Sequence, residues 1–184
     1  MAFSYGNKIM AFVNKYYIAD THFGHSKIIE MCNRPFKNVD EMDATLVDNW
    51  NNTVRKDDII YHLGDFAVCD KDRAIDIFNS LNGKKFLILG NHDYHDSEPK
   101  DWLINLDWHQ KPRDTLIVKD GILIHLNHYA LRTWKSINFG AAHFFGHSHG
   151  KCPNFFRSTD VGVDAAHINF KPKKASEIIE SFSL

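Results

Sequence analysis

Cysteine is scarce in this 184-residue chain: Cys32, Cys69 and Cys152 are an odd set of 3 without CxxC spacing. That excludes a disulfide framework and fits reduced thiols in a cytoplasmic compartment. An excess of charge of either sign is also lacking, since 22 Lys and Arg against 23 Asp and Glu leave −1. No global basic field exists to recruit long duplexes or acidic lipid, although such a balance leaves room for a local basic patch. No apolar run approaches the ~18 residues of a membrane span. The opening MAFSYGNKIMAFVNKYY lacks the charged-then-apolar order of a signal peptide. Glutamate is rare too, 5 residues against 18 aspartates.

What is present describes an ordinary globular protein, 43% hydrophobic and 24% charged. A chain of this length is expected to form one domain over residues 1–184 and to bury about 70% of its unfolded surface. Histidine is abundant at 12 residues. Asp and His together are the ligand set of hard-to-borderline metals, so composition already leans towards a metal site.

Short apolar runs alternate with amphipathic segments. Tyr16–Ala19, Ile59–Leu63 and Lys85–Leu89 read as strands, and Asp40–Thr53 and Asp72–Leu81 as helices. The first helix carries Met42, Leu46 and Trp50 on one stripe, with Asp40 as its expected N-cap. This β-α-β-α-β order predicts a largely parallel sheet. The second half changes character. Thr115–Val118 and Ile122–Leu126 flank Lys119-Asp120-Gly121 as a hairpin, Ala142–Phe145 and Thr159–Val163 add strands, and Lys173–Phe182 closes as a helix. Residues 94–112 read as a turn-rich loop with a short helix near Trp102–Leu106.

Chemistry gathers at the strand ends. The tips are Asp20-Thr21-His22, Gly64-Asp65, Gly90-Asn91-His92-Asp93, Asn127-His128 and Gly146-His147-Ser148-His149. Ligands of open α/β sheets bind at the carboxyl ends of strands, so these five tips would converge. In extended chain an i, i+2 pair points to one side, which would make Asp20/His22 and His147/His149 two-toothed chelators. Two Asp, one Asn and four His exceed the needs of one cation. Two cations about 3.5–4 Å apart would use them all, and Asp65, alone on its strand, is the expected bridge. Mixed N/O ligation without cysteine suits Mn²⁺, Fe, Zn²⁺, Co²⁺ or Ni²⁺.

DTH (20–22), GD (64–65), GNHD (90–93), His128 and GHSH (146–149) resemble the calcineurin-like metallophosphoesterases, from about Tyr16 to Val163. That resemblance implies an α/β fold, a β-sandwich flanked by helices on both faces, in a small member without a cap domain. It implies two divalent metal ions, manganese foremost. Asp20, His22 and His149 would hold one and Asn91, His128 and His147 the other, with Asp65 between them. It further implies phosphoester hydrolysis by a metal-bridging hydroxide, with His92 as general acid and Asn91 and His92 contacting the phosphoryl group. Asp93 would either orient His92 or accept backbone hydrogen bonds.

Gly64-Asp65 is followed by Phe66-Ala67-Val68-Cys69 and not by the GDxVDRG of the Ser/Thr phosphatases. Loss of that arginine clamp favours diesters over monoesters. A nucleotide, cyclic nucleotide or nucleic-acid end is the expected substrate, with a homo-oligomer open and no membrane partner. Arg34 is either a phosphate or base contact or an ordinary loop arginine, and His25 is either on the substrate side or a helix cap. Gly162-Val163-Asp164 is expected to support the site without ligating metal. His62, His125 and His143 read as core or sheet-face histidines, and His95, His109 and His167 as solvated. Two rivals remain: a non-catalytic interaction scaffold on the same fold, and an HxGH nucleotidyltransferase built on His22-Phe23-Gly24-His25. The second leaves GNHD and GHSH unexplained.

Overall fold

The computed structural model describes residues 12–180 and 182. Its chain order is β1 (Lys15–Ile18), α1 (Ser26–Met31), α2 (Val39–Thr53), β2 (Ile59–His62), α3 (Lys71–Ser80) and β3 (Lys84–Leu87). There follow β4 (Tyr94–His95), β5 (Glu98–Pro99), α4 (Asp101–Ile104), β6 (Thr115–Asp120), β7 (Ile122–Asn127), β8 (Ala142–Phe145), β9 (Ser158–Asp160) and α5 (Ala175–Glu180).

β1, β2 and β3 form one parallel sheet in that order, in register Tyr17↔Tyr61↔Phe86. Each strand is short, four residues, because a glycine or a left-handed residue ends it just beyond. A second sheet runs β6-β7-β8-β9, with an antiparallel β6/β7 hairpin and parallel β7/β8 and β8/β9 pairs. Strand alternation sorts the side chains into two cores. Ile18, Ile60 and Leu87 pack under α2 and α3 against Leu46, Trp50 and Phe78. Tyr17, Tyr61 and Phe86 face the other way and meet Ile124, Leu126 and Phe144 of the second sheet, with Ile178 of α5. The result is an α/β sandwich. On the outer face of the second sheet His143 meets the 129–141 loop, its Nε2 accepting the Leu131 N–H and its ring lying 5.5 Å from that of Trp134.

Element ends follow local chemistry. Helix α2 starts one residue before the expected position because Asn38, not Asp40, caps it, accepting from the Glu41 N–H. Asp70 does the same for α3 through the Arg73 N–H. Residues 94–112 contain a two-strand hairpin and a four-residue helix, more order than the turn-rich sequence suggests. Trp108 and Trp134 are buried, their indole N–H groups donating to the carbonyls of Leu103 and Ala141, so neither offers a surface platform.

Candidate metal centre

All five tips meet at one edge of the sandwich. Among the described residues four sets of donor atoms lie within 4.8 Å of one another: Asp20/His22/His149, His22/Asp65/His92 and Asp65/His128/His147 at the tips, and Cys32/His149/Asp164 beside them. Asp65 Oδ2 lies 3.5 Å from His22 Nε2 and 3.5 Å from His128 Nε2. The same oxygen thus faces both histidine sets. Asn91 Oδ1 sits 3.0 Å from His128 Nε2 and 2.8 Å from His147 Nδ1, completing the second set.

The convergence does not come from extended chain, and here the i, i+2 expectation is corrected. Asp20 (φ 57), His22 (φ 49), Asp65 (φ 58), His147 (φ 66) and His149 (φ 48) all occupy the left-handed region. Such backbone costs about 1–3 kcal/mol per non-glycine residue and clusters at functional sites. Tight turns, not strand pleats, aim these side chains inward. The backbone is tied down accordingly: Asp20 N–H donates to the Gly64 carbonyl and His22 N–H to the Asp65 carbonyl, both at 3.0 Å.

The motif glycines are explained by close approach. A Cβ on Gly146 would stand 2.7 Å from Ala19 Cβ and 2.9 Å from Asp20 Oδ2. One on Gly90 would strike the Asp65 carboxylate and lie 2.7 Å from His128 Cε1.

The donor atoms fit divalent cations. Asp20 Oδ2 and both ring nitrogens of His22 are buried with no hydrogen-bond partner among the described residues. An unpartnered buried polar atom costs about 1–3 kcal/mol. His128 Nδ1 donates to the Leu63 carbonyl at 2.7 Å, so in neutral imidazole Nε2 is a lone pair facing two oxygens, of Asn91 and Asp65. Burial holds both rings neutral, pushing His22 far down and lowering His128. Burial, then Asp160 and Asp65, raises Asp20 well above the carboxylate range. Lone pairs packed against lone pairs are what a cation relieves. Ligand atoms sharing one cation at about 2.0–2.2 Å lie about 3–3.5 Å apart, the spacing seen here.

Around this set stands a supporting layer. Asp164 accepts from His149 Nδ1 at 2.7 Å, leaving His149 Nε2 to the site. It also accepts twice from Arg34, at 2.8 Å each, and Arg34 in turn donates to the carbonyls of Asp20 (2.8 Å) and Thr21 (3.0 Å). Burial opposes the Asp164 carboxylate, but His149 and Arg34 together hold it below its ordinary range. Arg34 is 4% exposed and its guanidinium is spent on protein acceptors. The structure therefore corrects its reading as a phosphate or base contact. Asp160, not singled out from sequence, accepts the N–H groups of Gly150 and Gly162 beside Asp20. The alternation Asp160-x-Gly162-x-Asp164 was the available signal. Thr21 Oγ1 donates to the Phe66 carbonyl and so accepts from His62 Nε2, which explains a buried strand histidine whose pKa burial pushes down to about 3.

Asp93 is fully buried and accepts the N–H groups of Asp65, Phe66 and Gly90 at 2.8–3.1 Å. Of its two expected roles the structure selects the backbone one. Burial and Asp65 raise its pKa to about 7. Its carboxylate ties the 64–66 turn to the Gly90 turn through these three bonds. His92 by contrast is exposed. Its backbone N–H donates to Asp65 Oδ1 at 2.8 Å and its ring lies 5.1 Å from that of His22. His25 occupies the N-cap of α1 but makes no capping hydrogen bond; its ring faces those of His22 (5.5 Å) and His92 (6.2 Å).

Comparison with known proteins agrees with this geometry. The family model described as calcineurin-like phosphoesterase matches residues 16–106, a stretch holding Asp20, His22, Asp65, Asn91 and His92. His128, His147 and His149 lie beyond it and join the site only through the fold. Over that stretch the chain is similar to the calcineurin-like phosphoesterases, a family whose members are typically divalent-metal dependent. It is 51% identical over 80 residues to the uncharacterized protein MJ1445 of Methanocaldococcus jannaschii, a match covering 42% of this chain and under half, 46%, of that one. It is 28% identical to the Gene 66 protein of Mycobacterium phage D29 over 84% of this chain and 89% of that one. The crystal structure of AQ665 from Aquifex aeolicus, described as a protein of unknown function, matches in fold: TM-score 0.68, 24% identity, 92% of this chain and 99% of that one.

Proposed function

We propose that the protein is a dinuclear metal-dependent phosphodiesterase, acting through one domain that spans the chain. The observation that carries this is Asp65, whose single oxygen faces His22 on one side and His128 on the other at equal distance. Asp20, His22 and His149 would hold one cation and Asn91, His128 and His147 the other, with Asp65 shared. Bound cations would supply Lewis-acid neutralisation of phosphoryl oxygens and an acidified water, with manganese the expected ion.

The chain's own residues supply the rest. His92, exposed above the donor atoms, is placed to donate a proton to the departing alkoxide oxygen. Its backbone N–H is anchored on Asp65, so ring and carboxylate are set relative to each other. Asp93 gathers three backbone N–H groups and fixes the Gly64-Asp65 turn against the Gly90 turn. Asn91 presents its oxygen to the second set, leaving its amide N–H groups for a phosphoryl oxygen. The His25 ring, close to His92, is available to the substrate.

Metal analysis of the purified protein, paired with hydrolysis of bis-p-nitrophenyl phosphate and p-nitrophenyl phosphate, tests the reading. Two cations per chain and faster diester turnover are expected. Two bound cations with no hydrolysis of either ester would replace it with the scaffold reading.

A further inference from the structure

Between Gly121 and Thr159 the chain has no Asp or Glu, while Arg132, Lys135, Lys151 and Arg157 contribute four cations. The whole chain sums to −1, so everything outside this stretch sums to −5. The stretch contains His128, His147 and His149, and its two excursions from the sheet, 129–141 and 150–157, continue directly from those histidines. They meet over the outer face of the second sheet. Leu131 N–H donates to His143 Nε2 at 3.0 Å, and Arg157 Nη1 donates to the Gly140 carbonyl at 3.2 Å.

Between the excursions lies a cavity of about 370 Å³, lined by Leu131, Arg132, Phe145, Cys152, Pro153 and Phe155. That volume falls in the range of small-ligand sites. Large rings stand exposed on the same excursions: Tyr129 (47%), Phe155 (60%), Phe156 (61%) and Phe139 (90%). Phe156 is held at φ 53, a conformation its own side chain disfavours. The Tyr129 ring lies 4.8 Å from that of His147 and 5.0 Å from that of His128, so the aromatic surface runs onto the metal rim.

Among the described residues none of the four cations is in an ion pair. The neighbouring acids are committed elsewhere, Asp160 to backbone N–H groups and Asp164 to Arg34 and His149. Unpaired cations interleaved with exposed rings suit a flexible polyanion carrying flat apolar groups. Four charges on a protein of net −1 are too few to grip a duplex, whose bases are in any case stacked out of reach.

We infer that this face docks an unpaired nucleic-acid strand, with one base in the cavity beside Phe155, neighbouring bases on the exposed rings, and a backbone phosphate at the metal rim. As a statement about substrate it rests on the phosphodiesterase reading above.

The test is fluorescence anisotropy with a fluorescein-labelled ten-nucleotide strand, oligodeoxythymidine or oligouridine, on the protein as purified, the probe checked afterwards for integrity. Binding of either strand is expected, with an affinity falling as salt rises at a log–log slope of roughly −0.7 per cation engaged. Phe155→Ala and Phe156→Ala should each weaken it roughly five- to a hundredfold, the range for one lost base stack. Arg132→Glu with Lys151→Glu should abolish it. Should an alanine variant fail a thermal-melting check, the charge reversals, at solvent-facing positions, carry the test. No binding of either strand, or binding untouched by these substitutions, overturns the inference. So does equal binding to phosphatidylserine vesicles that the phenylalanine substitutions leave unaltered. Cleavage of bis-p-nitrophenyl phosphate without strand binding would sink the docking surface and spare the phosphodiesterase; strand binding without cleavage would do the reverse.

Discussion

Asp164→Ala puts the supporting layer under direct test. In the intact protein the Asp164 carboxylate is 5% exposed and takes two hydrogen bonds from Arg34 and one from His149. Removing it leaves a buried guanidinium with a missing counter-charge, a change that costs about 3–5 kcal/mol. In a chain of this size, 1 kcal/mol moves the melting temperature by about 2–4 °C, so the metal-free variant should melt roughly 6–20 °C lower. His149 also loses the acceptor that sets its tautomer, which should weaken cation binding about 10–100-fold in a manganese titration. Arg34 still holds the carbonyls of Asp20 and Thr21, so Arg34→Met combined with Asp164→Ala should cost less than the two changes summed. Acid supplies an independent check. A carboxylate held below its unfolded value of 3.8 contributes stability above that pH and loses it as pH falls through the folded value. The stability gap between native protein and variant should therefore be full at pH 5–7 and close below about pH 3.8. A variant melting within about 2 °C of the parent at pH 7, with unchanged manganese affinity, would refute the reasoning.

Three more outcomes are expected. Asp65→Asn should lose both cations together, because one oxygen faces both sets, and metal analysis retaining two tightly held ions would contradict the shared assignment. His92→Ala should keep metal content and depress turnover about 10²–10⁴-fold on diesters with poor leaving groups, with little effect on p-nitrophenyl esters, which need no proton donor. Gly146→Ala should displace Asp20 and Ala19, since its Cβ would lie 2.7–2.9 Å from both. Overpacking of that kind costs about 1–3 kcal/mol, read by denaturant melts, and should release metal from the Asp20 set first.

Much of this was legible in the order of residues. Alternating apolar runs with terminal glycines located the strands, because pleat and turn are local properties of a few residues. The parallel sheet followed from strands separated by helices, and the β6/β7 hairpin from an Asp-Gly turn. Cap identity was less legible. Asn38 and Asp40 both precede the α2 stripe, and only the path of the chain decides which side chain reaches the Glu41 N–H.

Arg34 shows where reading by sequence runs out. An arginine in a loop has two outlets, solvent and protein, and nothing local distinguishes them. Its partners, Asp164 and the carbonyls of Asp20 and Thr21, lie 130, 14 and 13 positions away, and pairing across such gaps is settled by packing. The same holds for His143, buried on the sheet face, whose Nε2 accepts the Leu131 N–H and so fixes one wall of the cavity.

By itself the order of residues pointed to the kind of chemistry: Asp, Asn and His side chains at strand ends are the ligand set of hard-to-borderline cations. It determined the alternation of elements too, since each is written in a short window of polarity. Only the tertiary structure decided that five left-handed residues in three tight turns, not extended pairs, aim Asp20, His22, Asp65, His147 and His149. Only there does a single Asp65 oxygen stand between two histidine sets, and do Arg132 and Phe155, from two separate loops, come to line one cavity. These are relations between segments far apart in the chain, and they exist only once the two sheets have packed.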